Sequence, residues 1–224
     1  MGIKTIIFGS TGMVGEGVLH RCLMSDEIES ILVVNRRECE VTHPKLREII
    51  HKDFFNYSAI ERELSGYDAC FFCLGVSSVG MKEDAYRRIT YDLTMTAATV
   101  LSKRNPSMTF CYVSGQGTDS SEKGRLMWAR VKGRTENDLF KFSFKSAYMF
   151  RPGYIKPIKG LKRAYRISRI LGSVYPILKF IFPGSVCTLE DLGNAMIYVA
   201  TRGYTSRILE NSDIAAASRA TLSS

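Results

Sequence analysis

The sequence predicts an α/β fold in which helices cover both faces of a parallel sheet, followed by a small C-terminal lobe. Over the first 150 residues, short apolar segments alternate with segments of helical periodicity. This alternation is typical of a parallel sheet built from strand–helix–strand units. The apolar segments also lack the polar alternation of a half-exposed sheet, which indicates that their strands are buried on both sides.

The first strand and the first helix are joined by a glycine-rich turn. Residues 4–8 are β-branched and aromatic, and residues 14–24 have apolar side chains at helical spacing. A helix that begins just after such a turn directs free amide donors at one point, where glycine leaves room for a pyrophosphate. The pattern predicts a doubly wound dinucleotide-binding fold of Rossmann type, with these cofactor-binding residues: Gly9, Ser10, Thr11, Gly12, Met13, Val14 and Gly15.

The other elements follow in chain order. Strands are predicted at residues 30–34, 46–50, 69–74, 109–113 and 147–150, and helices at 57–64, 83–103 and 126–142. Residues 215–224 are predicted to fray. We interpret residues 1–224 as one NAD(P)-binding domain, with a dinucleotide-binding core at 1–152 and a small substrate-side lobe at 153–224.

Composition narrows the class of protein. The 224 residues suffice for one well-packed domain, and the hydrophobic content of 45% is that of a soluble globular protein. Six cysteines without a recognisable export signal predict reduced thiols and a cytoplasmic protein. Cys70 and Cys73 lie inside an apolar run, which favours buried thiols over a metal or redox pair. The three histidines show no ligand spacing, so no metal is predicted.

The formal charge of +9 is concentrated in one segment. Residues 140–188 contain no acidic residue and ten basic ones: Lys141, Lys145, Arg151, Lys156, Lys159, Lys162, Arg163, Arg166, Arg169 and Lys179. The first hypothesis is a solvated lid over a substrate pocket. The second is peripheral contact with an anionic membrane through residues 156–182. No nucleic-acid-binding motif accompanies the charge, so no nucleic-acid partner is predicted.

Residues at the predicted strand ends indicate the cofactor. Asn35, Arg36 and Arg37 follow the second strand, where an NAD-selective enzyme usually carries a carboxylate. Guanidinium groups suit a 2′-phosphate, so the sequence favours NADP over NAD. Asp53 and Phe54 follow the third strand and are predicted to lie at the adenine edge.

The next two strand ends complete a family pattern. Leu74 and Gly75 let the backbone approach the cofactor, Ser114 ends the fifth strand, and Lys132 follows eighteen residues later. With the glycine turn, these positions and residues 150–154 resemble the short-chain dehydrogenase/reductase superfamily. The similarity is to its atypical, extended-like branch, which includes Tat-interacting-protein-like oxidoreductases and bacterial proteins similar to NAD-dependent epimerase/dehydratases.

The resemblance covers about residues 1–155. It implies cofactor contacts at Lys132 and Pro152, a small-molecule substrate and a homodimer. In that family a serine, a tyrosine and a lysine carry hydride chemistry, and Ser114 and Lys132 occupy two of these places. The third is held by Trp128, whose indole donates a hydrogen bond but exchanges no proton at working pH. The family's helix asparagine corresponds to a position near Thr90.

Three interpretations remain open at this stage. Tyr91 or Tyr154 supplies the missing phenol, water or the substrate supplies the proton, or the pocket binds its cofactor without turnover. The predicted function is an NADP(H)-binding oxidoreductase or epimerase/dehydratase-like enzyme, with Ser114, Trp128 and Lys132 as its catalytic-site residues. The alternative is a non-catalytic NADP-binding protein that is regulatory or associated with a membrane surface.

Overall fold

The computed structural model describes residues 2–156 and 186–222. The strands are β1 (Ile3–Phe8), β2 (Ile28–Asn35), β3 (Leu46–Ile50), β4 (Ala69–Phe72), β5 (Thr109–Val113), β6 (Ser146–Arg151), β7 (Tyr154–Lys156), β8 (Val186–Thr188) and β9 (Ile208–Glu210). The helices are α1 (Met13–Met24), α2 (Glu83–Arg87), α3 (Leu93–Arg104), α4 (Met127–Leu139), α5 (Leu189–Arg202) and α6 (Asn211–Leu222). A π-helical turn, Arg88–Asp92, joins α2 to α3.

Seven of these strands form one parallel sheet in the order β3-β2-β1-β4-β5-β6-β9. The order reverses between β1 and β4, which is where ligands bind in doubly wound folds. Phe8 at the end of β1 pairs with Val34 on one side and with Phe72 on the other. The loops after β1, β2 and β4 therefore leave the sheet at one edge. Strands β7 and β8 form a separate parallel pair.

Each face of the sheet is covered by helices. Along β1, Ile7 packs into a cluster with side chains from α1, α5 and α6, whereas Ile6 and Phe8 pack into a second cluster with α3 and α4. Side chains that alternate between two buried faces explain why the strands read as continuous apolar runs. The prediction of a doubly wound Rossmann-type sheet with helices on both faces is confirmed.

One predicted helix is wrong. Residues 57–64 form successive turns rather than a helix. Ile60 N donates to Tyr57 O and Glu63 N donates to Ile60 O, so the hydrogen bonds span three residues instead of four. Tyr57, Ile60 and Leu64 are buried all the same. Successive tight turns bury the same apolar side chains that a short helix would have buried.

The end of the chain is more ordered than its composition suggests. The prediction that residues 215–224 fray is wrong as far as Leu222, since α6 extends to that residue. Ile214 and Ala217 are fully buried, and α6 packs along α5. Although α5, β9 and α6 fall within the predicted substrate-side lobe, β9 extends the main sheet and both helices pack on it.

The basic segment falls largely outside the described residues. Of residues 156–182, the structure describes only Lys156, so the lid and membrane-surface hypotheses lie beyond it. Within the described ranges, no helix combines the length and apolarity that crossing a bilayer requires.

We expect Gly133→Ala to lower the free energy of unfolding by roughly 3 kcal/mol, because it forces backbone atoms apart. A Cβ atom at this position of α4 would lie 1.8 Å from the carbonyl oxygen of Asp119. Urea denaturation measures the change. The matched control is Gly75→Ala, whose Cβ meets nothing within 4 Å, so its expected change stays within about 0.5 kcal/mol. Equal loss in both variants would contradict the close approach.

Candidate functional site

A cleft of about 820 Å³ opens at the carboxyl edge of the sheet. The loops after β1, β4, β5 and β6 meet there, together with one face of α4. Nine of the predicted site residues line it: Gly12, Met13, Val14, Leu74, Gly75, Ser114, Trp128, Lys132 and Pro152. Sequence reasoning missed other lining residues, among them Ser77, Gln116 and Val186.

The glycine turn is built as a close backbone crossing. Gly9 has a φ of +83°, and Gly12 N donates to Gly9 O at 2.9 Å. A Cβ atom on Gly15 would lie 2.1 Å from Gly9 O, so α1 can start this near to β1 only with glycine there. Helix α1 begins directly after Gly12, which offers no side-chain cap. The first amides of α1 are thus left for an anion, as a bound pyrophosphate requires.

Two of the predicted cofactor-binding residues form hydrogen bonds inside the protein, next to the glycine turn. Ser10 and Asn35 are buried and hydrogen-bonded to each other, with Ser10 Oγ and Asn35 Oδ1 3.0 Å apart. Asn35 Nδ2 also donates to Glu48 Oε1 at 2.6 Å. These bonds connect the end of β2 to the turn after β1 and to β3. Their predicted contact with a cofactor stays a prediction.

The other predicted cofactor-binding residues that follow β2 and β3 differ in how exposed their side chains are. Arg36 and Arg37 are exposed and form no ion pair with a described residue. Asp53 is exposed and accepts a hydrogen bond from Phe55 N at 3.0 Å, closing a local turn. The ring of Phe54 instead packs in the core, 6.2 Å from the ring of Phe8 between centroids.

Ser114, Trp128 and Lys132 come together on the far wall of the cleft. Trp128 and Lys132 lie one turn apart on α4, and the Trp128 ring packs against Gly117. Lys132 Nζ donates to the carbonyl oxygen of Ser114. Burial disfavours the ammonium form and lowers the pKa of Lys132 to about 8.

A buried ion pair, which sequence reasoning missed, lies beneath Ser114. Glu136 is fully buried and accepts from Ser114 Oγ at 2.5 Å and from Arg151 Nε at 3.1 Å. Arg151 also bonds Glu210 and Ser120. The spacing of Lys132 and Glu136 along α4 would have suggested an ion pair between these two residues instead, and nothing in the sequence pointed to Arg151 as the partner of Glu136. Arg151 is one of the ten basic residues of the segment 140–188, but its side chain is mostly buried.

This arrangement decides what Ser114 can offer a ligand. Its single hydroxyl proton faces two acceptors, the Glu136 carboxylate and Phe150 O at 3.1 Å. A hydroxyl has one proton to donate and two lone pairs to accept with. In this arrangement Ser114 Oγ is an acceptor toward the cleft, whereas orienting a carbonyl, the role that the resemblance implies for this serine, needs a donor.

The two candidate phenols differ in position. Tyr91 donates its hydroxyl proton to Asp138 Oδ2 at 2.6 Å and does not line the cleft, so the hypothesis that it supplies the missing phenol is wrong. Thr90, just before it, is buried and is also not among the lining residues. Tyr154 does line the cleft.

The cysteines are free thiols in this structure, with Cys70 fully buried and Cys73 partly so. Cys73 lines the cleft, but burial raises its pKa to about 12, which keeps it a thiol rather than a nucleophilic thiolate. Within the described ranges, no three His, Cys, Asp or Glu residues are grouped to hold a metal ion.

We expect Glu136→Ala to cost about 3–5 kcal/mol of unfolding free energy, because it leaves the Arg151 charge buried without its main partner. Urea denaturation measures this loss. Glu61→Ala serves as the control, since it breaks a more exposed pair with Arg104 and should cost less than about 1 kcal/mol. A loss for Glu136→Ala no larger than the control's would show that the buried pair contributes little.

Comparison with solved structures places the fold. A short-chain dehydrogenase/reductase family oxidoreductase from Burkholderia thailandensis superimposes with a TM-score of 0.68, at 15% identity, covering 100% of this chain and 99% of the other. The Bordetella bronchiseptica enzyme WbmF, solved in complex with NAD+, gives a TM-score of 0.68 at 16% identity, covering 99% and 78%. The resemblance to short-chain dehydrogenase/reductases is confirmed at the level of the fold.

Comparison with curated proteins finds distant relatives. The mitochondrial protein FMP52 of Meyerozyma guilliermondii is 26% identical over 202 residues, covering 88% of this chain and 85% of its own. The HTATIP2 protein of Rattus norvegicus is 26% identical over 156 residues, covering 68% and 62%. No protein-family model matches the sequence.

The names of the FMP52 relatives contradict the predicted cytoplasmic location, because these proteins are named as mitochondrial. The prediction of a cytoplasmic protein is therefore wrong. It depended on cysteine content and on the first residues of the sequence. Reduced thiols do not distinguish the cytoplasm from another reducing compartment.

Proposed function

Starting from this short-chain dehydrogenase/reductase fold, we propose that the chain binds NADP(H) in its cleft. On this proposal it acts on a small molecule as an oxidoreductase or epimerase/dehydratase-like enzyme. The observation that carries the proposal is the meeting of the glycine turn, Ser114 and Lys132 in one cleft. The complex of WbmF with NAD+ supports a nicotinamide cofactor for a fold of this type.

The preference for NADP rests on the charges after β2. Arg36 and Arg37 are exposed, and neither is paired with a described carboxylate. They follow β2, which is paired with β1, so they lie beside the glycine turn. Glu48, the acidic side chain bonded to Asn35, also accepts from Cys39 N, which leaves it less free to bind ribose hydroxyls. Two unpaired guanidinium groups favour a 2′-phosphate.

We expect NADPH to quench the fluorescence of Trp128, the only tryptophan of the chain, and to bind at least about tenfold more tightly than NADH. The double variant Arg36→Ala/Arg37→Ala should lose this preference, because charge-assisted hydrogen bonds to the phosphate disappear. The matched control is Arg207→Ala, which removes an exposed arginine just before β9, at the opposite edge of the sheet. A double variant that keeps the preference would overturn the assignment to these arginines.

The residues of the far wall have distinct roles in this proposal. A bound nicotinamide cofactor supplies the hydride donor or acceptor. Lys132 presents N–H donors to the ribose hydroxyls and an exchangeable proton to the substrate side of the cleft. Ser114 accepts a hydrogen bond from a substrate hydroxyl, and Trp128 covers this part of the wall with an apolar ring and one N–H donor.

A non-catalytic function is the second candidate, and two observations favour it. Trp128 has no proton to exchange where the family has a tyrosine. The Ser114 proton is donated to Glu136 and Phe150 O rather than to the cleft. A protein with these features can bind the cofactor and signal its presence without turning over a substrate.

Substitution of Trp128 separates the two functions. We expect the wild type to oxidise NADPH slowly with at least one compound of a carbonyl panel. Trp128→Tyr should be about a hundredfold faster, because a positioned acid contributes that much to proton transfer. Trp128→Phe is the control for ring replacement and should give no gain. If the wild type and Trp128→Tyr both bind NADPH without oxidising it, the non-catalytic function is supported instead.

A further inference from the structure

Lys132 is the only charged side chain among the described residues that line the cleft. Many of the other lining residues of the cleft are apolar, and they include Leu74, Val76, Trp128, Pro152 and Ile155. A primary amine in apolar surroundings is poorly hydrated, which favours its neutral, nucleophilic form.

No described carboxylate compensates the Lys132 charge by a direct ion pair. Nζ donates to the backbone carbonyl of Ser114, and the nearby Glu136 already accepts from Ser114 and Arg151. The lowered pKa of about 8 agrees with this geometry. At pH 7 about one amine in ten is then neutral, against fewer than about one in a thousand for an ordinary lysine.

We propose that Lys132 Nζ is a nucleophile that captures small apolar aldehydes in the cleft as an imine. One N–H of the neutral amine remains bonded to Ser114 O, and the lone pair is free to attack the carbonyl carbon. A C–N bond forms as the C=O π bond breaks, and the second N–H proton moves from the nitrogen to the carbonyl oxygen, giving a carbinolamine. The C–OH bond then breaks and the hydroxyl group leaves as water with the remaining N–H proton, which gives a neutral imine with a C=N bond. No electron donor or acceptor is consumed.

The surroundings of other lysines make the reaction selective. Lys141 is largely exposed and bonds Asp138, which raises its pKa. Lys4 is half-exposed and paired with Glu29. Carboxylate partners and water favour the ammonium form, which has no lone pair to react with.

The test is reductive trapping on the full chain. The protein is incubated at pH 7 with hexanal and sodium cyanoborohydride, and the modified sites are identified by peptide mass spectrometry. We expect Lys132 to be modified at least about tenfold faster than Lys141. Mapping also separates Lys132 from the α-amino group, which titrates in the same range. Equal labelling of Lys132 and Lys141 in the wild-type protein, or a Lys132 that stays unmodified, would overturn the proposal.

A matched pair of variants and a pH series complete the test. Lys132→Arg keeps the charge and should abolish the fast labelling, whereas Lys141→Arg should leave it unchanged. The rate at Lys132 should rise up to about pH 8 and then level off, and a rate that keeps rising to pH 10 would contradict an activated amine. Because the reaction needs no cofactor, Lys132 labelling that persists at saturating NADPH supports this inference while counting against the proposed cofactor site.

Discussion

The buried pair of Glu136 and Arg151 is the interaction on which the candidate site depends. Arg151 ends β6, Glu136 lies on α4, and Ser114, bonded to Glu136, follows β5. The pair therefore joins two adjacent strands of the sheet to the helix that carries Trp128 and Lys132. Two charges removed from water are tolerated only when their hydrogen bonds are satisfied, and here Ser114, Ser120 and Glu210 complete the set.

The Glu136–Arg151 pair also affects the electrostatics of the cleft, although neither residue lines it. Because both oxygens of Glu136 accept from Arg151, the carboxylate is not free to bind Lys132 in a direct ion pair. The hydrogen bond that Lys132 does form goes to the backbone carbonyl oxygen of Ser114. The network thus orders Ser114, whereas the pKa of Lys132 is depressed because burial disfavours the ammonium form, an effect that the nearby Glu136 carboxylate partly offsets.

Local patterns predicted the sheet and the glycine turn because their signals lie close together in the chain. Strand β3 has the predicted bounds, and Gly15 lies where only glycine fits. Contacts between distant residues left no such signal. Nothing around Arg151 reveals that it binds a carboxylate fifteen residues earlier, and nothing around Asn35 reveals its hydrogen bonds to Ser10 and Glu48. The helix predicted at residues 57–64 was wrong for another reason, since short turns and a short helix bury the same apolar positions.

Trp128 and Ser114 both differ from the catalytic pattern that the resemblance to short-chain dehydrogenase/reductases implies, and the two differences have related consequences. A tyrosine donates to a substrate oxygen with the help of a serine that also donates, and such a pair stabilises a carbonyl as it is reduced. Here Trp128 exchanges no proton, and Ser114 presents an acceptor to the cleft. An acceptor at Ser114 suits a ligand hydroxyl better than a carbonyl oxygen. Lys132 is then the lining residue whose proton exchanges near neutral pH, so the proton chemistry of this cleft is concentrated on one amine.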